Sequence, residues 1–475
     1  MAKAKQNPLA LQVESSTLID FSRDAMIIYG SAVNEERALP DFRDGLKPIH
    51  RKLLWAMYRL GLAHNKPPVK SARVVGETLG KYSPHGDMST YQALAAMVLL
   101  SEPLVDGTLS NFGSMIDPPA APRYTETRPT VYSDSVFFNK EYLDVMPYVP
   151  NYDESEIEPV ILPALLPNLL INGSFGIGYG TTCSIPSFEK GSIIELLQKT
   201  KLTPTLKDCV KYLVPKSPYG GVPDWEEPRS TGETKAFADM LNLGVGDIDW
   251  APAFSEPSSR SILVTGFPPN LNVLKVIDKL AEWPEIASVE DKSDRKSGEI
   301  RFLVTMKTPD IVDDVIGEFC STLRVRMNIT NREEFVHGTT GLMDYKVSFF
   351  SAGVVDVLTR WVHWRKQLEL KRLALLLQKS STKIEELDLL LLAIANKDKI
   401  LKALESEQPL LAIKKALKIN EEQAEYVGNL RIISLSKLNA DKLISSKKQE
   451  ESHCKELKQA QKNPSEGIVE SLATL

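Results

Sequence analysis

Apolar side chains recur at helical spacing near the start of the chain. The first run is formed by Leu18, Phe21, Ala25, Ile28 and Ala32. Intervals of three and four residues place these side chains on one face of a helix. The pattern therefore predicts a helix that starts at about Ser15, where Ser or Thr can cap it, and ends near Ala38, before Pro40.

A second amphipathic stretch follows the turn at Asp44-Gly45. Pro48 stands where a first helical turn tolerates proline, and the apolar face of this helix then carries Leu53, Leu54, Met57 and Leu60. The first turn would carry His50, Arg51 and Lys52. Because a helix N-terminus attracts anions, added cations make this turn a candidate phosphate site.

Two short helices are predicted next, over residues 71–82 and 88–100. The turn Ser-Pro-His-Gly-Asp separates them, and Asp87 is placed to cap the second. Two such helices rich in Lys and Arg resemble a helix-turn-helix, although many helical hairpins bind no DNA. Residues 111–132 contain Gly, Pro and β-forming residues that predict a hairpin wing beside these helices, which places Tyr124 next to the predicted DNA-reading unit.

The rest of the chain changes its pattern twice. From about 190 to 344, helical stretches alternate with β-rich ones, which predicts a mixed α/β domain. After Asp344 the chain is rich in leucine, and Ile384, Leu387, Leu391 and Ile394 follow heptad-like spacing. We therefore predict an α+β multidomain protein that ends in long helices.

Composition excludes several classes of protein. The 475 residues are 43% hydrophobic and 25% charged, as in ordinary globular proteins. The four cysteines are far apart and lack metal-ligand spacing, which favours a reducing compartment and no metal held by this chain. No apolar run approaches the ~20 residues of a membrane span, and the N-terminus lacks a signal-peptide core. We expect a cytoplasmic protein without membrane contact.

Charge is distributed unevenly along the chain. The net charge is −5, yet the segment from Arg37 to Lys81 carries ten Lys/Arg against three acids, or +7. A basic segment inside an acidic protein indicates a local phosphate-binding surface. The plainer alternative is a solvated basic face that binds nothing.

Tyr124 lies between Arg123 and Arg128 in a segment of prolines and small residues. A free phenol titrates near pH ~10, so it becomes a nucleophile at neutral pH only where nearby cations favour the phenolate. Tyr124 is therefore a candidate nucleophile for a phosphate. The alternative is a surface tyrosine with a hydrogen-bonded tip.

Four blocks in the same order resemble one family. They are RALPDFRDGLKPIHRKLLWAM, KSARVVGETLGKYSPHGD, LVDGTLSNFGS and APRYTETR. These blocks are similar to the breakage-reunion part of the A subunits of bacterial DNA gyrase and topoisomerase IV, the type IIA topoisomerases. The likeness implies an arm and helix over 1–30, a winged-helix DNA-binding domain over 31–150, a tower domain over 151–344, and antiparallel coiled-coil arms with a dimerisation gate over 345–475.

The resemblance also implies roles for single residues. Tyr124 would attack DNA and form a 5′-phosphotyrosine link, Arg123 would stabilise the transition state, and Arg37 and His85 would complete the active site. Ile177 would enter the base stack and kink the duplex. The other DNA contacts would be made by Lys47, His50, Arg51, Arg73, Lys81 and Asn172.

The same resemblance implies the partners and the reaction. The chain would act on double-stranded DNA as a homodimer in an A₂B₂ assembly, while a B-type subunit binds the ATP and holds the Mg²⁺. Because the sequence ends at 475 without a pinwheel, relaxation and decatenation are expected rather than negative supercoiling. A short A subunit suits a phage genome as well as a bacterial one. A DNA-binding protein that has lost its chemistry is the alternative function.

This sequence departs from the family pattern at three positions. Ser83 stands where the family usually has a first histidine, so that phosphate contact is either lost or made by a hydroxyl. Met88 and Gln92 replace the serine and the acid that anchor quinolones in bacterial relatives. The resemblance therefore implies a weak quinolone response.

Overall fold

The computed structural model describes residues 17–223, 234–294, 298–336, 343–430 and 440–475. Contacts group the chain into two units. The first unit comprises the chain up to Phe137 together with Pro147–Leu196 and Pro204–Leu358, and the second comprises Phe138–Met146, Leu197–Thr203 and Thr359–Leu475. The domain limits given above stay predictions. None of the helices in the described ranges combines the length and apolar character that crossing a bilayer requires.

Helices occur throughout both units. In chain order they are α1 (Leu18–Val33), α2 (Pro48–Arg59), α3 (Ser71–Lys81), α4 (Asp87–Ala96), α5 (Val131–Phe137), α6 (Lys140–Leu143), α7 (Asn168–Asn172), α8 (Lys190–Lys199), α9 (Leu206–Tyr212), α10 (Thr234–Leu243), α11 (Val273–Ala281), α12 (Val312–Phe319), α13 (Val354–Ala395), α14 (Lys397–Leu404), α15 (Pro409–Leu417), α16 (Glu421–Gly428), α17 (Ala440–Lys462) and α18 (Pro464–Leu472). A π-helical turn (Asn34–Ala38) extends α1, and a 3₁₀ turn (Pro309–Ile311) precedes α12.

Strands lie mainly in the first unit. They are β1 (Val69–Lys70), β2 (Val105–Asp106), β3 (Glu126–Pro129), β4 (Tyr148–Pro150), β5 (Ile157–Pro159), β6 (Ser174–Ile177), β7 (Thr182–Ile185), β8 (Ser187–Phe188), β9 (Pro215–Lys216), β10 (Val222–Pro223), β11 (Val245–Ala251), β12 (Ala253–Ser258), β13 (Ser261–Gly266), β14 (Ile286–Asp291), β15 (Phe302–Met306), β16 (Ser321–Arg326), β17 (Asn328–Val336) and β18 (Met343–Ser351). The larger sheets have the orders β10-β11-β16-β7-β6 and β12-β13-β15-β14. The mixture of helix and strand that the sequence predicts is confirmed.

The first predicted helix is confirmed, and its cap is Thr17, whose hydroxyl accepts a hydrogen bond from the Asp20 N–H at 3.1 Å. The continuous helix ends as a π turn, in which the Leu39 N–H donates to the Asn34 carbonyl. Such turns are frequent at functional sites. The apolar face of α1 is exposed rather than buried in this chain, from Leu18 to Ile28.

The two short helices are also confirmed as α3 and α4, but the predicted cap is wrong. Gly86 is the N-cap of α4, and Asp87 is already the first helical residue. The Asp87 carboxylate accepts from the adjacent Met88 N–H at 2.8 Å, so it does not bond the second or third N–H of the helix as a cap would.

The hairpin expected within residues 111–132 is wrong in its extent. Only β3 is a strand there, and it pairs with β1 and β2 in a three-stranded antiparallel sheet of order β1-β3-β2. Residues 111–125 form no strand. Their backbone groups bond instead to α3, to a tyrosine of α4 and to one another, as described below.

The four-stranded sheet has its own core. Alternate residues of β13 and β15 are buried, as a sheet packed on one face requires, and α11 and α12 cover that face. The core contains Ile262, Val264, Phe267, Val273, Leu280, Phe302, Val304, Val315 and Phe319. This arrangement agrees with the predicted alternation of helices and β-rich stretches.

In the second unit, α13 and α17 run antiparallel to each other. Ser380 lies near Cys454 and bonds Glu450 at 2.8 Å, whereas Asp388, farther along α13, pairs with Lys447 at 2.6 Å. The residue number thus rises on one helix as it falls on the other. The four predicted heptad positions of α13 are all buried or half-buried, as a packed helix seam requires.

Candidate functional site

Tyr124 lies at the end of a loop that is attached to the N-terminus of α3. The N–H of Ala72 donates to the Pro122 carbonyl at 3.1 Å, and the N–H of Ser71 donates to the Thr125 carbonyl at 2.9 Å. The first N–H groups of a helix lack partners within the helix, so the loop carbonyls satisfy them. Tyr124 itself is 64% exposed. The phenol therefore projects from a backbone that is fixed on both sides.

A buried chain of hydroxyl groups supports this loop. The Thr125 hydroxyl donates to Ser71 Oγ at 2.8 Å and lies 3.1 Å from the Tyr91 hydroxyl, which also donates to the Ala120 carbonyl. Burial raises the pKa of Tyr91, which keeps that hydroxyl protonated as a donor. Sequence reasoning missed Ser71, Tyr91 and Thr125, because their contact joins positions 34 and 54 residues apart.

The two arginines that flank Tyr124 differ in their contacts. The Arg123 guanidinium carbon lies 4.6 Å from the centroid of the Tyr124 ring, and its side chain is exposed. Arg128 instead bonds the Asp106 carboxylate at 2.9 Å and the Lys66 carbonyl at 2.8 Å. The expectation that both arginines supply charge to the phenol is therefore corrected, because Arg128 is committed to the three-stranded sheet.

Arg37 lies on the π turn after α1, and its side chain is exposed. The Asn34 side chain fixes this turn to the tip of the β6–β7 hairpin. Its amide N–H donates to the Tyr179 carbonyl at 3.1 Å, and its carbonyl accepts from the Tyr179 N–H at 2.8 Å. The structure thus brings Arg37 near the hairpin that carries Ile177, although 140 residues separate the two in sequence.

Lys47 completes this second cluster. Its ammonium group donates to the Phe175 carbonyl on β6. Burial is the main cause that lowers the pKa of Lys47, and the neighbouring Arg37 charge acts in the same direction. Ile177 is 72% exposed and Phe175 is 62% exposed. Two apolar side chains therefore stand in solvent beside two cations.

Arg51 does not reach the surface. It is 5% exposed, and its guanidinium forms two bonds to the buried Asp44 carboxylate, at 2.7 and 3.0 Å, and one to the Leu46 carbonyl. Asp44 also accepts from the Leu162 N–H at 3.0 Å. Because these bonds hold the turn before α2, we assign Arg51 to the fold rather than to a DNA phosphate.

Three other predicted DNA contacts are either neutral or bonded within the protein. Burial, with the charges of Lys47 and Arg51, lowers the pKa of His50 to about 3, so His50 is neutral near pH 7. Hydrogen bonds to Glu77 and Glu156 raise the pKa of Lys81, whose ammonium lies 2.9 and 3.2 Å from their carboxylates.

Asn172, the third of these residues, belongs to a hydrogen-bond network under the hairpin. Its side-chain carbonyl accepts from the Glu102 N–H at 2.7 Å, and its amide donates to Asn168 Oδ1 at 2.8 Å. Asn168 in turn donates to the Asp44 carbonyl at 3.0 Å. The geometry therefore gives Asn172 a part in positioning the chain that leads into β6.

Arg73 and His85 are exposed, and neither has an ion pair with another described residue. Arg73 lies on α3, close in sequence to the bonds that hold the Tyr124 loop. His85 lines a cavity of about 230 Å³ together with Glu36, the neighbour of Arg37. Ser83 is 2% exposed, so its hydroxyl is not presented to solvent.

The candidate residues thus fall into two groups within the first unit. Arg123 lies with Tyr124 at the α3 loop, whereas Arg37, Lys47 and Ile177 lie at the π turn and the hairpin. Among the contacts between described residues, none joins Tyr124 to Arg37 or to His85. A phosphate bound at the Tyr124 hydroxyl would therefore meet only part of the predicted set from one copy of the chain.

Comparison with known proteins agrees with the motifs. The family model for the A subunit of DNA gyrase/topoisomerase IV matches residues 37–472. The chain is 32% identical over 441 residues to the DNA gyrase A subunit of Synechocystis sp., which covers 88% of this chain and 49% of that protein. It is 31% identical over 461 residues to the DNA gyrase A subunit of Mycoplasma pneumoniae, covering 93% and 53%.

A relative of the other named type gives a similar result. The chain is 30% identical over 450 residues to the DNA topoisomerase 4 A subunit of Rickettsia felis, covering 90% of this chain and 58% of that protein. The chain spans about half the length of the curated relatives it matches. Since the family model covers most of its length, the chain belongs to the family of DNA gyrase and topoisomerase IV A subunits.

Proposed function

We propose that this chain is the DNA-cleaving and rejoining subunit of a type IIA DNA topoisomerase. It acts as a homodimer with a B-type subunit in an A₂B₂ assembly, and it opens one duplex so that a second duplex can pass. The observation that carries this proposal is the exposed Tyr124 hydroxyl on a loop that is hydrogen-bonded to α3, with the Arg123 guanidinium against its ring.

The reaction is a transesterification at one phosphate of the DNA. The Tyr124 oxygen attacks the phosphorus of a DNA phosphodiester, and the bond from phosphorus to the 3′ oxygen breaks. The phenol loses its proton and the departing 3′ oxygen gains one. The products are a 5′-phosphate attached to Tyr124 and a free 3′-hydroxyl. Because one ester replaces another, attack by that hydroxyl restores the DNA without an energy source.

Arg123 has the geometry to assist this step. Its guanidinium lies over the ring of Tyr124, so it is close to a phosphate that receives the phenolic oxygen. Negative charge grows on the phosphoryl oxygens in the transition state, and a positioned cation stabilises that charge more than the ground state. The fixed loop favours the same step, because it holds the nucleophile in place before DNA arrives.

The described residues of this chain do not fit a metal site. In the ranges that the structure describes, no three His, Cys, Asp or Glu side chains come together as ligands would. Glu126, two residues after Tyr124, is paired with Lys70 at 2.8 Å. As the family resemblance implies, the Mg²⁺ and the ATP would be held by the B-type partner.

The second cluster would receive the duplex. Arg37 and Lys47 provide cations beside the hairpin, and Arg73 provides another on α3, where phosphate contacts position DNA without reading its sequence. Ile177 stands on a strand rather than on a loose loop, as an apolar wedge between base pairs requires. Because Arg37 and His85 have no contact with Tyr124 in one chain, the second copy would supply them to it.

The test uses denaturant trapping of a covalent adduct. The full chain is mixed with a B-type subunit, Mg²⁺ and duplex DNA. One strand of the duplex is labelled at either its 3′ end or its 5′ end. Detergent then stops the reaction. The label at the 3′ end should migrate with the protein, because the 5′-phosphate of that fragment is bound to Tyr124. The label at the 5′ end should be released on a fragment with a 3′-hydroxyl.

The matched control is Tyr124→Phe, which removes one oxygen from an exposed side chain. This variant should bind DNA as the wild type does and form no adduct. An adduct that persists in Tyr124→Phe would assign the nucleophile to another residue. DNA binding by both proteins without any adduct would favour the non-catalytic DNA-binding alternative.

A further inference from the structure

Phe175 is an exposed aromatic residue that no step above uses. It is 62% exposed on β6, two residues before Ile177. Successive side chains of a strand point to opposite faces, so Phe175 and Ile177 share one face while Gly176 lies between them on the other. Because the phenyl group of Phe175 lies on the same face as Ile177, a ligand that contacts Ile177 can contact Phe175 as well.

Neighbouring contacts hold this strand firmly. β6 is the edge strand of the five-stranded sheet and pairs with β7 along its whole length, from Ser174 opposite Ile185 to Ile177 opposite Thr182. A Cβ on Gly176 would lie 2.2 Å from the Ala38 carbonyl oxygen, so the strand is packed directly against the π turn. Phe175 is therefore presented on a rigid support.

The charges around Phe175 favour a polyanion. Lys47 bonds the Phe175 carbonyl, and Arg37 is close enough to lower the pKa of that lysine. Two cations beside two exposed apolar side chains match a nucleic acid, which offers phosphates at its edge and base faces inside. A purely apolar partner surface would leave the charges of Lys47 and Arg37 without a counterpart.

The spacing of the two side chains also fits a duplex. Residues two apart on a strand are separated by about 6.6 Å, since each residue advances about 3.3 Å. Successive phosphates of one DNA strand are about 3.4 Å apart along the helix axis. Phe175 and Ile177 are therefore about two base steps apart, so both can meet the same kinked region of a groove.

We infer that Phe175 is a second DNA-bending residue, which lies against the base stack about two steps from the step that Ile177 opens and helps to keep the kinked region unstacked. This inference rests on the proposed function, because it requires that the chain binds and bends DNA. Phenylalanine is among the side chains that unstack base steps in this way. The exposed phenyl would be covered only when the duplex is bound.

The experiment measures bending of a short duplex with a fluorescence donor and acceptor at its two ends. Every protein carries Tyr124→Phe, so that no strand is cut, and is assembled with Mg²⁺ and a B-type subunit. Phe175→Ala should lower the bent fraction and weaken binding roughly tenfold, which is the scale of one lost contact between an aromatic ring and a base. Phe175→Leu should restore most of the bending, because it keeps an apolar wedge.

Two controls separate a DNA contact from other causes. Phe254→Ala removes a phenyl that is 39% exposed on β12, in a different sheet, and should leave bending unchanged. The dependence of affinity on salt should be the same for Phe175→Ala as for the unmodified side chain, because no phosphate contact is lost. Lys47→Ala should instead make that dependence shallower.

The outcomes distinguish this inference from the proposed function. If the protein bends DNA and Ile177→Ala reduces bending while Phe175→Ala does not, only the role of Phe175 is overturned. If Phe175→Ala weakens assembly with the B-type subunit but bends DNA normally once assembled, Phe175 belongs to a protein interface and the inference is also overturned. If neither the Tyr124→Phe parent nor any variant bends DNA, the inference about Phe175 is overturned, while the covalent adduct experiment still decides the proposed function separately.

Discussion

The turn before α2 and the loop before β3 use their arginines in opposite ways. The Asp41 carboxylate of the turn pairs with Arg43 of the same turn, the Asp44 carboxylate pairs with Arg51 of α2, and both arginines are buried. In the loop, Arg123 is exposed and contacts the ring of Tyr124. An arginine that is paired with a buried carboxylate stabilises the local backbone, whereas an arginine beside an exposed nucleophile is available to a ligand.

The pKa of Asp41 agrees with its pairing in this turn. Burial alone would raise the pKa of Asp41, but Arg43 and then Arg332 outweigh it and lower the pKa to about 2. Asp41 therefore stays ionised with its partners throughout the neutral range. Its bonds to Arg43, at 2.9 Å on each oxygen, leave that guanidinium little capacity for a phosphate.

The largest effect is expected at the pair that Arg51 of α2 forms with Asp44 of the turn. Arg51→Ala leaves the Asp44 carboxylate buried without its main partner, which should lower the free energy of unfolding by about 3–5 kcal/mol. Urea denaturation of the full chain would measure this loss. The exposed Arg123→Ala serves as the control and should unfold at the wild-type urea concentration. Equal stability of Arg51→Ala and the wild type would contradict the structural role of the pair.

The contrast between paired and free arginines could not be predicted from sequence. Arg51 and Arg73 both lie in the first turn of a helix within the basic segment, and charge counting treats them alike. Arg51 meets Asp44 only because the turn at Gly45, whose φ is 68°, brings the chain back on itself. Whether an arginine is paired or free depends on turns that bring it close to a carboxylate. The periodicity of hydrophobic residues does not reveal these contacts.

Helices with strong periodicity were predictable, whereas the loop that carries Tyr124 was not. The helix predicted over residues 71–82 is α3, Ser71–Lys81, because local sequence largely determines a short helix. Residues 111–125 contain β-forming residues, yet their backbone bonds go to α3 and Tyr91 rather than to a neighbouring strand. Their conformation is fixed by contacts with α3 and α4, so the local preference for strand is overridden.

The second prediction concerns the loop side of the comparison. Arg123→Ala removes a cation that would act mainly in the transition state, so the rate of strand cleavage should fall by about 10²–10³-fold. The unfolding free energy should not change. Single-turnover cleavage with Mg²⁺ and a B-type subunit measures the rate, while a filter-binding assay with uncut DNA measures affinity.

Arg123→Lys is the matched variant for this position. It keeps the charge but loses the planar group that lies over the Tyr124 ring, so it should recover only part of the rate. A loss of affinity in proportion to the loss of rate would show that Arg123 binds DNA uniformly rather than favouring the transition state. Wild-type rates in both variants would remove Arg123 from the reaction.

The smallest effect compares two cations of one helix. Arg73 and Lys81 both lie on α3, but Lys81 is paired with Glu77 and Glu156 while Arg73 is exposed. If Arg73 contacts a phosphate, Arg73→Ala should reduce the slope of log affinity against log salt by about 0.9, because one fewer counterion is released. Lys81→Ala should change the slope much less, since its charge is already neutralised by carboxylates. Equal changes in slope for the two variants would show that the ion pairs of Lys81 break when DNA binds. The ion pairs of the free protein would then not determine which cations contact the DNA.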